Sequence, residues 1–303
     1  MELSTTMRES TTSCAYCGGA DNYVRYRNEY HKVEGSFGPF DLFECRDCGS
    51  LSTVNIPSDE RLAAFYREYD QHRPQWYTNA AASSALAAQY RFYARYLQRL
   101  MPRKAGSKWV DIGAGHGEIA NLLVSLRPET FGCAVDIAPA PALHGRIDYR
   151  SIDINANGWV QALGTKFDFV YSVAVWEHVV SPLAFARESL SLVAPGGVLV
   201  MICPDYGSLA RRALRRAWPY FEPGEHLSIP TRKGALACVG RAATEVGLTA
   251  EQYRAEASSV WVGYSIRYVL EVLRLRWLAS AVPPTIAAPL PTGILATAIT
   301  RDR

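Results

Sequence analysis

The spacing of apolar positions changes at about residue 105. Over 59–101 apolar residues recur at steps of three and four, which predicts one face of a helix: Leu86, Tyr90, Tyr93, Leu97 and Leu100. From Lys108 onward, short apolar runs alternate with segments of helical period. That alternation is typical of a parallel sheet with helices on both faces, so we predict an α/β fold for 106–303.

The individual elements follow from the same pattern. We predict strands at 108–112, 131–136, 167–173, 198–203 and 293–301, and a further strand ending at 152–154. Ser181 with Pro182 is a favourable helix start for 183–194. Thr231 can cap a helix over 231–246 that Gly247 ends.

Two segments interrupt this alternation, at 205–230 and 258–292, and we interpret them as insertions on the substrate side. The stretch 261–280 predicts a hydrophobic helix interrupted by charges, which favours a substrate lid or a dimer contact. Contact with a membrane surface is the less favoured alternative. Arg211, Arg212, Arg215 and Arg216 predict either a phosphate-binding helix face or a solvated one.

The first 57 residues have a different character. Residues 1–13 are rich in Ser and Thr and are predicted to be disordered, and 14–57 hold two Cys-x-x-Cys-Gly knuckles with four thiols: Cys14, Cys17, Cys45 and Cys48. Four thiolates form the tetrahedral set that Zn²⁺ prefers, so we predict a structural zinc ribbon with a long hairpin. A redox dithiol is the less favoured alternative. His31 is predicted to lie on the surface, because four sulfurs already fill the shell.

Two aromatic groups leave alternatives open. Tyr23, Arg25, Tyr26 and Arg27 interleave rings and cations, which suits an RNA-stacking platform, but a strand with one buried face gives the same pattern and is favoured. Residues 58–105 are predicted to form a helical connector, which contains the second aromatic group: Tyr66, Tyr69, Trp76 and Tyr77. These rings are expected either to pack against the ribbon or to form a lid over a bound cation.

Composition narrows the class of protein. The 303 residues are 49% hydrophobic with a formal net charge of +3, which is too weak to favour a nucleic-acid partner. The sequence contains no uncharged run of about 18 apolar residues, so we do not expect a membrane span. The N-terminus lacks the apolar core of a signal peptide. Cys133, Cys203 and Cys238 are lone thiols, which favours a reducing cytoplasm.

The stretch from Val110 to Ala120, VDIGAGHGEIA, carries the candidate chemistry. A buried strand ends in Asp111, passes through Gly113, Gly115 and Gly117, and enters a helix. Close-set glycines give a bare backbone turn that a nucleotide-like ligand can approach. The carboxylate suits a ligand with an ammonium group better than it suits a phosphate.

This stretch resembles motif I of the class I S-adenosylmethionine-dependent methyltransferases, whose sheet is Rossmann-like. The resemblance implies that the motif binds S-adenosylmethionine through Asp111, Gly113, Ala114, Gly115 and Gly117. Asp136 follows Gly113 by 23 residues, near the interval at which an acid meets ribose hydroxyls. The resemblance implies further cofactor contacts at Ile137, Asp153, Ile154, Ser172 and Val173. Among these, Asp153 would face the adenine amino group and Ile154 would stack on the ring. Two prolines after Asp136 predict a tight loop there.

The run from 167 to 200, FDFVYSVAVWEHVVSPLAFARESLSLVAPGGVLV, resembles small-molecule methyltransferases of the ubiquinone-biosynthesis type. Ala174 stands where several quinone O-methyltransferases have a glutamate, which weakens a metal-assisted catechol mechanism. The pair Glu225-His226 resembles the catalytic pair of zinc-containing deoxysugar C-methyltransferases, which also have a Cys-x-x-Cys module.

Methyl transfer from a sulfonium needs alignment of the reacting atoms and, for a hydroxyl or carbon acceptor, a base. His226 is the first candidate for that base, with Glu225 orienting it, and His178 with Glu177 is the alternative pair. A purely structural histidine is the competing interpretation of each.

We therefore expect a cytoplasmic methyltransferase that acts on a sugar or glycan precursor, including nucleotide- or lipid-linked forms. A ribosomal RNA base methyltransferase and a non-catalytic binding protein on the same fold are the alternative hypotheses.

Overall fold

The structure is a computed structural model that describes residues 13–31, 37–58, 60–62, 65, 80–156, 158–265, 267, 270, 275–283 and 287–302. The N-terminal part holds three strands: β1 Asn22–Glu29, β2 Phe40–Cys45 and β3 Leu51–Thr53. The next part runs α1 Ala80–Leu100, β4 Lys108–Ile112, α2 Glu118–Leu126, β5 Phe131–Asp136, β6 Ile147–Ser151, β7 Phe167–Val173, α3 Pro182–Ser191 and β8 Val193–Pro204. The last part runs α4 Leu209–Leu214, β9 Ser228–Ile229, α5 Arg232–Glu245, β10 Tyr253–Ser265, α6 Arg276–Ala279 and β11 Ala287–Arg301.

Seven strands form one mixed sheet in the order β10-β11-β8-β7-β4-β5-β6. Five neighbouring strands of this sheet, β6, β5, β4, β7 and β8, are parallel, and β11 lies antiparallel to both β8 and β10. The predicted α/β class is confirmed. Because the carboxyl ends of β4, β5, β6 and β7 meet at one edge, the residues that follow these strands share a rim.

Alternate residues of the central strands enter two separate cores. Trp109 and Phe169 pack with Leu97 of α1 and Leu123 of α2 on one face. Val110 and Val170 face the other side, where α3 and α5 cover the sheet. This alternation is what period two dictates for strands that are buried on both faces.

The N-terminal strands form a second, antiparallel sheet in the order β1-β2-β3-β9. Its fourth strand comes from Ser228–Ile229, about 175 residues later in the chain, and pairs with Leu51 and Ser52. The Tyr16 hydroxyl also lies 3.0 Å from Ser228 Oγ. The cysteine-bearing segment is therefore joined to the larger fold through β9.

The two predicted helix caps are confirmed. Ser181 Oγ accepts a hydrogen bond from Ala184 N, and Thr231 Oγ1 accepts one from Gly234 N. A side-chain acceptor at this position satisfies one of the four N–H groups that a helix start leaves without partners.

Several predicted boundaries need correction. Residues 261–265 are strand, not the start of a helix over 261–280, because Val260, Val262 and Tyr264 continue an alternation that pairs with β11. The region 258–292 therefore includes sheet at both ends and is not wholly an insertion. Strand β6 ends at Ser151, three residues before the predicted end, and β8 begins at Val193, five residues before its predicted start.

In the part of the chain that the structure describes, no helix is both long and apolar enough to cross a membrane. The cluster of Tyr66, Tyr69, Trp76 and Tyr77 lies outside the described residues, as do residues 1–12 of the predicted tail.

Candidate functional site

The glycine turn, residues 113–117, joins β4 to α2. A methyl group on Gly113 would lie 2.4 Å from Val175 Cγ2, and its backbone φ is 74°, so a side chain is excluded twice over. Gly115 has a φ of 53° and no described atom within 4 Å of an added Cβ. The backbone there faces open space, so a ligand can approach it closely.

Hydrogen bonds fix the rest of the turn. Ala114 N donates to Val135 O at 3.0 Å, and Gly117 N donates to Ala114 O at 2.9 Å. Gly117 is the residue that immediately precedes α2. The first turn of α2 therefore begins beside the open space at Gly115.

Asp111 lies in the interior at the end of β4, with 3% of its surface exposed. Burial raises the pKa of its carboxyl group to about 7, although the neighbouring Tyr171 hydroxyl opposes the shift. A buried acid that is only partly ionised near neutral pH gains its charge when a cation binds beside it. The position thus suits the ammonium group that the sequence predicted.

Asp136 ends β5 and reaches across to the glycine turn. Its Oδ2 accepts a hydrogen bond from Gly115 N at 2.8 Å, and its Oδ1 accepts one from Ala138 N at 2.9 Å. Ile137 beside it is more than half exposed. Residues 137–146 form neither helix nor strand, as the two prolines predicted.

The other predicted cofactor residues lie beyond the next strands on the same edge. Asp153 is exposed, and its Oδ1 accepts a hydrogen bond from Asn155 N at 2.9 Å. Ile154 is half-buried against the core. Ser172 is buried at the end of β7, and its hydroxyl has no hydrogen-bond partner among the described residues; Val173 next to it is half-buried.

Two histidines meet beyond the carboxyl end of β7. The ring centroids of His178 and His226 are 4.7 Å apart, with the planes at 73°. His178 Nδ1 lies 3.1 Å from the carbonyl oxygen of Glu225, and His226 Nδ1 lies 2.7 Å from that of Tyr220. A carbonyl oxygen only accepts, so Nδ1 is the protonated nitrogen in both rings and Nε2 has the lone pair of the neutral form.

Glu177 lies beside these rings, with Oε1 3.9 Å from His178 Nε2. It is 1% exposed, and burial raises its pKa to about 7 while the nearby His226 opposes the shift. Its Oε2 has no hydrogen-bond partner among the described residues. The structure thus brings together His178, Glu225 and His226, the three predicted catalytic residues, with Glu177, the partner predicted for His178.

His31 is the residue that the sequence analysis missed. It is 3% exposed, so the prediction of a surface histidine was wrong. Its Nε2 lies 2.9 Å from Glu225 Oε2, and its ring packs edge-on against Phe65. A contact between residues 194 positions apart leaves no periodic signal in the sequence.

The four knuckle cysteines converge, with one sulfur of each within 4.8 Å of the others. Cys14 Sγ lies 3.5 Å from Cys48 Sγ, and Cys17 Sγ lies 3.6 Å from Cys45 Sγ. Four sulfurs about 2.3 Å from a central ion are separated by roughly 3.8 Å in a tetrahedron. The cysteine cluster therefore has the size and donor set of a metal site. The hydrogen bond between the Cys14 and Cys48 thiols lowers the pKa of Cys48 and raises that of Cys14.

Tyr26 of the N-terminal sheet and two of the clustered arginines, Arg211 and Arg216, have partners within the protein. Tyr26 is buried against Phe221, but Val24 two positions earlier is 39% exposed, so β1 has a single buried side chain and not the continuous buried face that the alternation predicted. Arg216 donates to Glu29 Oε1 at 2.6 and 2.8 Å, and Arg211 Nε donates to Tyr206 O at 2.8 Å. Two of the four clustered arginines thus bind groups of the protein itself, which the prediction of a phosphate-binding helix face does not require.

A seven-stranded sheet of this order, with an acid-ended strand and a glycine turn at its carboxyl edge, is the architecture of a class I methyltransferase. A family model described as "Methyltransferase domain" matches residues 86–246, just over half of the 303 residues. The chain belongs to this methyltransferase-domain family.

Curated relatives match a shorter stretch. The ubiquinone biosynthesis O-methyltransferase of Cereibacter sphaeroides is 33% identical over 102 residues, which is 31% of this chain and 40% of that protein. The trans-aconitate 2-methyltransferase of Rhodopseudomonas palustris is 32% identical over 117 residues, 38% of this chain and 45% of that protein. The match therefore spans less than half the length of these relatives.

Solved structures share the fold at low identity. The plantazolicin methyltransferase BpumL, solved with a desmethyl analogue and SAH, has a TM-score of 0.50 and 11% identity, covering 80% of this chain and 94% of that one. A chain from the complex of the Haloferax volcanii Trm112 methyltransferase activator with a methyltransferase has a TM-score of 0.50 and 14% identity, covering 75% and 96%.

Proposed function

We propose that this protein transfers a methyl group from S-adenosylmethionine to a small-molecule acceptor. The observation that carries the proposal is the juxtaposition at one sheet edge of buried Asp111, the open backbone at Gly115, and Asp136 bound to that backbone. Family membership and the small-molecule methyltransferases among the relatives support it.

Each predicted cofactor residue would have a distinct task. The Asp111 carboxylate would hold the ammonium group, and Asp136 would accept a hydrogen bond from ribose with lone pairs that its two backbone donors leave available. Ile137, Asp153 and Ile154 would lie at the adenine end, with Ser172 and Val173 near the reacting centre. Bound S-adenosylmethionine supplies the electrophilic methyl carbon.

On the acceptor side, His226 is our candidate for the base. Its Nδ1–H donates to Tyr220 O, which makes Nε2 the basic nitrogen that would take a proton from a hydroxyl or an activated carbon. Glu225 would act through position, since His31 holds its carboxylate. The alternative base is His178, with Glu177 as its partner.

We further propose a sugar or glycan precursor as the acceptor class, including nucleotide- or lipid-linked forms. Support comes from the resemblance of Glu225-His226 and of the Cys-x-x-Cys module to zinc-containing deoxysugar methyltransferases. Cys133, Cys203 and Cys238 are buried free thiols, which fits the cytoplasm as the working compartment.

The cysteine cluster is proposed to hold one structural Zn²⁺. Four sulfur donors that all lie within 4.8 Å of one another, two of them from each knuckle, suit zinc better than oxygen-preferring cations. Zinc there would stabilise β1, β2 and β3 and, through β9, the segment that contains His226.

Calorimetry of S-adenosylmethionine binding tests the proposal. We expect a dissociation constant of roughly micromolar order for the wild type and loss of binding in Asp136→Ala. Transfer of a labelled methyl group into nucleotide-sugar pools would identify the acceptor. Unchanged affinity in Asp136→Ala would contradict the proposal, whereas salt-sensitive retention of RNA or binding without any methylated product would favour the two alternative functions.

A further inference from the structure

The strand β7 places one tyrosine directly beside Asp111. In the parallel pairing of β4 with β7, Tyr171 is the register partner of Asp111. Neighbouring strands lie about 4.8 Å apart and register partners project to the same face, so the two side chains leave the sheet together. Tyr171 is 0% exposed and Asp111 is 3% exposed. A phenol and a carboxyl group therefore lie side by side in the protein interior.

Packing holds the Tyr171 ring in this position. Its centroid lies 6.0 Å from that of Trp109 and 5.7 Å from that of Phe169, the residues two positions earlier on each strand. Trp109 is itself fixed, because its Nε1 donates to Thr130 Oγ1 at 2.9 Å. A ring enclosed in this way loses little further rotamer freedom when its hydroxyl forms a bond, so the hydroxyl is pre-organised.

The Tyr171 hydroxyl is shielded from solvent and has no hydrogen bond of full geometry among the described residues. A buried hydroxyl without a partner is costly, so such a group usually has a task in another state of the protein. The acid that it affects is Asp111, since the hydroxyl lowers the pKa of that carboxyl group against the effect of burial. Burial and Asp111 in turn raise the pKa of Tyr171 well above its ordinary value, so the phenol keeps its proton and serves the carboxylate as a donor.

We propose that Tyr171 is a positioning residue for Asp111: its hydroxyl donates to one oxygen of the ionised carboxylate and leaves the other for the ammonium group of S-adenosylmethionine. The identity of this ligand rests on the proposed function, whereas the contact between the two side chains does not. A carboxylate has two oxygens with about four lone pairs, so it can accept from both donors. A hydrogen bond to the charged form favours ionisation, which a buried acid needs before it can attract a cation.

The other ionisable groups around Asp111 act in the opposite direction. Asp136 at the end of β5 and Glu118 in the first turn of α2 both raise the pKa of Asp111. Cys133 of β5 adds no charge near neutral pH, because burial raises the pKa of its thiol to about 11. Of the ionisable side chains that the structure describes around Asp111, Tyr171 is thus the one that favours the ionised form before the ligand arrives.

Tyr171→Phe tests this assignment, because it removes the hydroxyl and keeps the ring. Loss of a hydroxyl that has no partner should leave the protein folded. In the cofactor-free protein, the stability difference between Asp111→Asn and its parent should level off at a pH about one unit higher when Tyr171→Phe is present, because the folded carboxyl group then keeps its proton longer. Urea unfolding of the wild type, the two single variants and the double variant between pH 5 and 9 measures this shift.

Calorimetry of S-adenosylmethionine binding supplies the second readout. Tyr171→Phe should bind about fivefold more weakly than the wild type at pH 7 and within about twofold of it at pH 8.5, because Asp111 is ionised in both proteins at the higher pH. The ratio to wild type cancels the titration of the ligand itself. The matched control is Tyr206→Phe, which removes from the core of the N-terminal sheet a tyrosine hydroxyl that lies 3.2 Å from Glu44 Oε2. Its ratio to wild type should be the same at both pH values.

An Asp111 titration that stays within about 0.3 pH units of its wild-type position in Tyr171→Phe would overturn the assignment. So would a loss of affinity that is equal at pH 7 and pH 8.5, because it would indicate a structural effect alone. If the titration shifts but the wild-type protein does not bind S-adenosylmethionine, the methyl-transfer proposal fails and the contact between Tyr171 and Asp111 stands.

Discussion

His31 Nε2 lies 2.9 Å from Glu225 Oε2, and both side chains are buried. His31 belongs to the N-terminal sheet region, whereas Glu225 immediately precedes the candidate base His226. The cysteine-bearing segment therefore contributes directly to the position of the candidate catalytic pair. An independent ribbon joined by a linker would not make this contact.

Replacement of His31 by Gln should destabilise the protein by about 1–3 kcal/mol, because a buried hydrogen bond to a carboxylate is lost or distorted. Urea unfolding followed by circular dichroism measures the change. The matched control is the exposed His144→Gln, which should change the free energy of unfolding by less than about 0.5 kcal/mol. Equal effects in the two variants would contradict a structural link between the N-terminal sheet and Glu225.

Thr231 joins the helix α5 to the cysteine cluster. Its hydroxyl caps α5 through Gly234 N and donates to Cys48 O, and its N–H donates to Ser50 Oγ. Thr231→Ala should cost about 1 kcal/mol of stability through the lost cap and should also speed metal loss to a chelator. Release of zinc measured with a chromophoric chelator tests this.

Ser181→Ala is the comparison for Thr231→Ala, because it removes a cap of the same kind from α3 without a bond to the cysteine knuckles. It should lower stability by a similar amount and leave the rate of zinc release unchanged. Faster zinc release in both variants would show that the effect is general destabilisation.

Gly113 and Gly115 are both left-handed but differ in their surroundings. Gly115→Ala should cost about 1–2 kcal/mol for the backbone conformation alone. Gly113→Ala should cost about 1–3 kcal/mol more, because the new methyl group would overlap Val175 Cγ2. Adding Val175→Ala should recover part of the Gly113→Ala loss and none of the Gly115→Ala loss, as measured by double-mutant cycles of unfolding.

Asp111 gives a pH-dependent stability of defined sign. Its pKa is about 7 in the folded protein because of burial, against about 3.9 in an unfolded chain. The folded protein therefore binds the extra proton between these values, and stability falls as pH rises through 7. Without cofactor, Asp111→Asn should be more stable than the wild type at pH 8, by on the order of 1–4 kcal/mol, and the difference should shrink toward pH 4.

Asp168 is the control of opposite sign, because its hydrogen bonds with Lys104 and Lys108 N outweigh partial burial and lower its pKa. Asp168→Asn should be less stable than the wild type at pH 7, with the difference lost as pH falls through the carboxyl range. If Asp111→Asn were less stable than the wild type at pH 8, the prediction would be wrong. The ionised Asp111 carboxylate would then have favourable contacts that outweigh the cost of its burial.

Local chemistry made much of this fold predictable. The acid-ended strand, the glycine turn and the caps at Ser181 and Thr231 depend on residues within four positions of one another, and the structure has each of them. The helix predicted over 261–280 failed at its start, because the pairing of β10 with β11 favours strand there. The helix propensity of a short stretch of sequence takes no account of pairing with a strand that lies elsewhere in the chain.

The candidate site was only partly predictable for the same reason. The sequence indicated Glu225-His226 as one pair and Glu177-His178 as an alternative pair, but not that His178 and His226 would lie ring to ring. Neither spacing nor composition indicated His31, which meets Glu225 only because Ser228–Ile229 joins the N-terminal sheet as β9. Contacts of this kind arise from topology.

We have proposed that the Asp111-ended strand and the glycine turn bind a cationic methyl donor. The most direct test is the affinity for S-adenosylmethionine of wild type and Asp111→Asn between pH 6 and 8.5. Wild-type affinity should rise with pH as Asp111 ionises near pH 7, and Asp111→Asn should bind at least tenfold more weakly without this rise. Equal, pH-independent affinity in the two proteins would contradict it.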